Sequence, residues 1–85
     1  MTRTMFNGEV LDTDIVRTSN VEVTTCYAGS HNTRLVVTNS LKTGKITTAK
    51  MYLDGDVTEF KKGLPFESYL RTFTCNVKVL RNNIR

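Results

Sequence analysis

Short stretches of β-type sequence, separated by turn residues, fill the first sixty positions of the chain. The clearest is residues 21–27, where odd- and even-numbered side chains would lie on opposite faces of a strand. The apolar triplet at positions 35–37 favours a central, well-covered strand. Together with a second extended stretch that starts at Ile15, the predicted strands after the first are residues 21–27, 34–38, 45–53 and 57–60.

Glycine and asparagine mark the predicted turns. Gly44 is expected to take a positive φ and to close a hairpin, and Asp54-Gly55-Asp56 predicts a second turn. At the start of the chain we interpret residues 4–11 as one strand with a glycine bulge at Asn7-Gly8, in preference to a tight hairpin. Residues 12–14 then interrupt the pattern.

After Gly63 the period of the apolar residues changes. Phe66, Tyr69, Leu70 and Phe73 have the i, i+3, i+4, i+7 spacing of a helix, and Pro65 suits a first helical position. This spacing predicts a short helix of about two turns. Alternation then returns at residues 75–79, which predicts a closing strand, and residues 82–85 are expected to be a frayed tail.

Composition supports a mainly β fold. The chain of 85 residues contains 14 Thr, 9 Val and 3 Ile, which pack well in sheets, and only two Ala. We predict one domain over residues 1–85, either a small antiparallel sheet or a half-open barrel of about five strands, with a short helix before the last strand. A helical turn in that position resembles the element order of SH3-like barrels.

Several functional classes lack their sequence signals. No apolar run reaches the roughly 20 residues that a membrane span requires, and two cysteines cannot form a disulfide framework. Cys26 and Cys75 are expected to be free thiols in a cytoplasmic protein, and His31 has no orienting partner that would make it a catalytic base. We expect neither an enzyme, a metal, a cofactor nor a small-molecule substrate.

Charge is the most informative feature. The formal net charge is +4, and no acid occurs in the 31 residues between Glu22 and Asp54. Such segregation predicts a basic surface that attracts phosphate, although a solvated surface would have the same composition. Tyr27, Tyr52 and Phe60 are candidate rings for base stacking. The candidate binding residues are Arg34, Lys42, Lys45, Lys50, Tyr52, Arg71, Lys78 and Arg81.

The sequence therefore predicts a small non-enzymatic binding module. The first hypothesis is contact with nucleic acid, or with a nucleic-acid-processing machine, through the basic hairpin at residues 34–53. The second is a protein-interaction module, such as a small inhibitor or accessory factor of the kind that viruses use. A structural subunit of an assembly is a third.

Overall fold

Six strands and one helix make up the computed structural model, which describes residues 1–83. The elements are β1 (Thr2–Phe6), β2 (Glu9–Arg17), β3 (Val21–Ala28), β4 (Ser30–Ser40), β5 (Ile46–Leu53), β6 (Asp56–Glu59) and α1 (Phe66–Asn83). Each strand pairs antiparallel with the next, so the sheet order is β1-β2-β3-β4-β5-β6. The mainly β class is confirmed, whereas the sheet is not closed into a barrel, because β1 and β6 are its two edges.

The first hairpin corrects the bulged strand predicted for residues 4–11. Asn7 and Gly8 have φ values of 51° and 80°, and positive φ at both central residues defines the tight turn that joins β1 to β2. The predicted break at residues 12–14 is also wrong, because β2 continues through them. Asp12 fits into the strand because its carboxylate accepts a hydrogen bond from Arg3 Nε, 3.0 Å away on β1.

Helix α1 is longer than predicted and is the last element. Tyr69, Phe73 and Val77 are buried at four-residue intervals, so one apolar stripe continues past the two predicted turns. The predicted closing strand at residues 75–79 is wrong: Cys75 and Val79 lie on the exposed side of the helix. Residues 82 and 83 are helical rather than frayed, and the rest of the predicted tail, 84–85, lies outside the described residues.

The core lies between α1 and one face of the sheet, which we call the covered face. The strand residues of this face that are buried in the core include Leu11, Cys26, Leu35, Val37, Ala49 and Met51. Strand residues that alternate with them point the other way, onto what we call the open face. The Tyr69 hydroxyl donates to the Lys61 carbonyl (2.7 Å) and accepts from the Leu64 amide (3.2 Å), which ties the β6–α1 connection to the helix.

Candidate binding surfaces

A single line of paired residues crosses the open face. The pairing register places one residue of every strand in this line: Arg3, Asp12, Tyr27, Arg34, Tyr52 and Val57. The Arg34 guanidinium lies over the Tyr52 ring, with Cζ 3.9 Å from the ring centroid. The ring centroids of Tyr27 and His31 are 4.8 Å apart, and Arg34 Nη1 donates to the His31 carbonyl at 2.7 Å. Four planar side chains are thus contiguous on this face.

The open face is less basic than the sequence predicted. Its cations are Arg3, Arg34 and Lys50. The register also places three acidic residues on this face, Asp12 and Asp14 on β2 and Glu59 on β6. Asp12 raises the pKa of its hydrogen-bonded partner Arg3 above the ordinary value, and Glu59 stands directly opposite Lys50. The three positive charges are therefore balanced by three negative ones.

A groove of about 1130 Å³ lies on the covered face, where α1 leaves part of the sheet uncovered. One wall is formed by the connection into α1 and the first turns of the helix, and the other by β2, β3 and the β4–β5 hairpin. Its apolar lining residues are Phe6, Leu11, Ile15, Cys26, Val37, Ile46, Leu64, Pro65, Phe66 and Leu70. Ile15 and Leu64 are both well exposed, so apolar surface is accessible in this groove.

Four lysines line the groove or lie close in the chain to residues that line it. Lys45 lines it, and Lys42 lies in the same turn. Lys61 and Lys62 directly precede Gly63 and Leu64 of the opposite wall. Within residues 1–83 none of these lysines forms an ion pair. Lys61 and Lys62 were not among the predicted site residues, although two adjacent lysines before Gly63 were a visible signal.

The eight predicted binding residues are divided among three places. Arg34, Lys50 and Tyr52 come together on the open face, and the hairpin lysines lie beside the groove. The three predicted residues of α1 belong neither to the row on the open face nor to the groove lining. Arg71 pairs with Glu67 at 2.9 Å, Arg81 pairs with Glu9, and Lys78 Nζ lies against Gly8. The candidate stacking ring of Phe60 instead packs on Tyr69, with centroids 5.4 Å apart.

The two cysteines are free and lie in different environments. Cys26 is buried on the covered face, where Thr13 Oγ1 donates to its sulfur at 3.7 Å, and burial raises the pKa of its thiol. His31 packs on Tyr27, on the other side of the sheet, so no thiol–imidazole pair forms. In the part of the chain that the structure describes, there is no cluster of metal-binding side chains and no helix that could cross a membrane.

Comparisons of the chain with protein-family models, with curated proteins and with solved structures gave no match. Function is therefore assigned from the chemistry of the two surfaces. The open face offers planar and charged groups on a rigid sheet. The groove offers apolar surface beside lysines that form no ion pair within residues 1–83.

Proposed function

We propose that the protein is a non-enzymatic module that binds single-stranded nucleic acid on its open face. The observation that carries this proposal is the row of contiguous planar groups formed by Tyr27, His31, Arg34 and Tyr52. Exposed rings beside cations bind single strands because every base has a face that can stack. A sheet holds such rings at fixed spacing, and this lowers the entropy that binding would otherwise cost.

Stacking supplies most of the binding free energy in this proposal. The Arg34 guanidinium is planar and always charged, so one of its faces can stack on a base while the other keeps its contact with the Tyr52 ring. Lys50 follows on the next row and meets a phosphate. Because Arg3 is already paired with Asp12, Arg34 and Lys50 are the cations of this face that would contact phosphates and release counterions. The affinity should then fall with salt with a log–log slope of about −1.4, which is about −0.7 for each of two contacts.

The test compares two substitutions of one ring. Fluorescein-labelled dT12 and U12 are titrated with protein at several salt concentrations, and fluorescence anisotropy gives Kd. Tyr52→Leu keeps apolar volume but removes the ring, and the loss of a stacking interaction of about 1–3 kcal/mol should weaken binding about fivefold to 150-fold. Tyr52→Phe keeps the ring and should bind within about twofold of the parent.

A second variant distinguishes the open face from the basic hairpin that the sequence predicted. Ser40 is about 20 Å along β4 from Arg34, and Lys42 and Lys45 lie in the turn beyond it. Changing both lysines to Glu should leave the affinity for dT12 within about threefold. A loss of tenfold or more in that variant, full affinity in Tyr52→Leu, or no binding by the parent at low salt would each overturn the proposal.

A further inference from the structure

We propose that the groove of the covered face binds an acidic amphipathic helix of a partner protein. The groove and the open face lie on opposite sides of the same sheet, so this site is separate from the nucleic-acid surface. Both could be occupied at once, which would make the protein a bridge between a nucleic acid and a second protein.

The apolar lining fits the non-polar side of a helix. Such helices bind by laying side chains at i, i+3, i+4 and i+7 into a hydrophobic groove. Here Phe66 and Leu70 provide one wall from α1, while Ile15 and Ile46 provide the other from the sheet. Most of the lining is apolar, which suits the non-polar side of a helix.

The charges around the groove favour an acidic occupant. Among the described residues that line it, Glu22 is the only acidic one, and its carboxylate accepts a hydrogen bond from Arg17 Nε at 2.9 Å. Lys45 and the neighbouring Lys42, Lys61 and Lys62 have no ion-pair partner within the described chain. Carboxylates on the polar side of a bound helix would meet these lysines, and basic peptides would be repelled.

One polar atom favours a peptide over a fatty acid. Asn39 lines the groove, and its Oδ1 atom is buried without a hydrogen-bond partner. Leaving a buried acceptor unpaired is unfavourable, and a rotation of the Asn39 side chain that brings Oδ1 to the groove surface would let an occupant with a donor gain affinity. A Ser, Thr, Asn or Gln side chain of a helix supplies such a donor, whereas a hydrocarbon tail has none.

The test is a selection followed by matched variants. A displayed library of 18-residue helical peptides, with apolar positions fixed at helical spacing and all other positions randomised, is selected on the full chain. We expect the enriched peptides to carry net negative charge and the best of them to bind with a measurable Kd in anisotropy titrations. No enrichment over an unrelated protein, or enrichment of basic peptides, would overturn the proposal.

Neighbouring residues of β2 give the matched control. Ile15 and Val16 are 57% and 55% exposed and lie on opposite faces, so both tolerate Ser equally well. Ile15→Ser should weaken the best peptide about fivefold or more, and Val16→Ser less than about twofold. Leu64→Ser repeats the test from the opposite wall, outside the sheet. Equal effects of Ile15→Ser and Val16→Ser would contradict the assigned site.

Charge reversal and a lipid probe complete the experiment. Lys45→Glu combined with Lys62→Glu should weaken peptide binding about tenfold at low salt, and Lys45→Glu alone should weaken it more than Lys50→Glu, the matching single reversal on the open face. Dodecanoate should not displace the peptide at concentrations below its micelle limit. Displacement by dodecanoate would mean that the groove binds lipid chains, and it would overturn the proposal that the occupant is a protein helix. Binding of dT12 is measured in parallel, so the two surfaces fail or succeed separately.

Discussion

Glu9 and Arg81 form an ion pair that joins the start of β2 to the last turn of α1. Glu9 is only 5% exposed, whereas the Arg81 side chain is half exposed and reaches the carboxylate from the solvent side. Oε1 of Glu9 has no well-directed hydrogen bond, so the guanidinium charge is its main compensation. The pair therefore fixes where the end of α1 lies on the sheet.

Substitution of Arg81 should show how much its charge stabilises the folded protein by compensating the buried carboxylate of Glu9. Arg81→Met keeps the apolar stem and should lower the free energy of unfolding by about 2 kcal/mol, because Glu9 is left unpaired. Adding Glu9→Gln should restore much of that loss. Urea unfolding of the parent, the two single variants and the double variant gives the coupling, and strictly additive losses would argue against the pair.

Val77 and Val79 should respond very differently to the same substitution. They are 1% and 58% exposed on opposite sides of α1. Val77→Ala should cost about 2 kcal/mol in unfolding free energy, through lost burial and a cavity. Val79→Ala should cost nothing or stabilise slightly, because Ala is the better helix former. Equal losses at both positions, as expected for neighbours on one strand face, would contradict the helix.

Gly44 should tolerate Asn better than Ala. Its φ is 75°, and an added Cβ would meet no atom within 4 Å, so the cost of substitution is purely conformational. Gly44→Ala should lower the free energy of unfolding by about 1 kcal/mol. Gly44→Asn should cost less, because Asn adopts positive φ more readily. Thermal unfolding followed by circular dichroism measures both, and a larger loss with Asn would contradict this turn geometry.

The two thiols should differ in reactivity and in pH dependence. Cys75 is exposed and should react quickly with Ellman's reagent, while Cys26 should react only as the protein opens. Burial raises the pKa of Cys26 above its ordinary value of 9.0, so the folded state holds this proton more tightly than the unfolded state does. Its contribution to stability is therefore complete below pH 9 and is lost as pH rises above it.

The matching control for the pH effect is Cys26→Ala. The difference in unfolding free energy between the parent and this variant should shrink as pH rises from about 8 to 10, since only the parent has this thiol. Tyrosines and lysines titrate in the same range, and the difference cancels them. A constant difference across that range would mean that Cys26 is not sensitive to its burial.

Strand positions were predictable because one face of the sheet is buried. Residues 21–27 and 45–53 were predicted as strands, and the structure has β3 (Val21–Ala28) and β5 (Ile46–Leu53). Burial of one face imposes alternation, which is clear at residues 21–27; at 45–53 the alternation is ambiguous, and the turn residues on either side indicated the strand. Alternation predicted a strand wrongly in α1, where apolar residues stand two apart. Cys75, Val77 and Val79 have this spacing, but of the three only Val77 is buried.

The candidate surfaces were only partly predictable, because the pattern of residues along the chain does not determine the pairing register between neighbouring strands. Lys50 and Tyr52 are two residues apart, so their common face followed from strand geometry. That Arg34 lies over Tyr52 depends on which residues of β4 and β5 are paired. The groove was invisible for a similar reason: it exists only because α1, which follows the sheet, covers part of one face.

The order of the elements along the chain also determines the order in which they are synthesised. All six strands are made before α1, so the apolar face of the sheet has no partner helix until residues 66–83 have been added. At about 5–20 residues per second, the eighteen residues of α1 take roughly one to four seconds to add. The apolar residues of the covered face therefore stay without their helix for at least that time, whatever the strands have already formed.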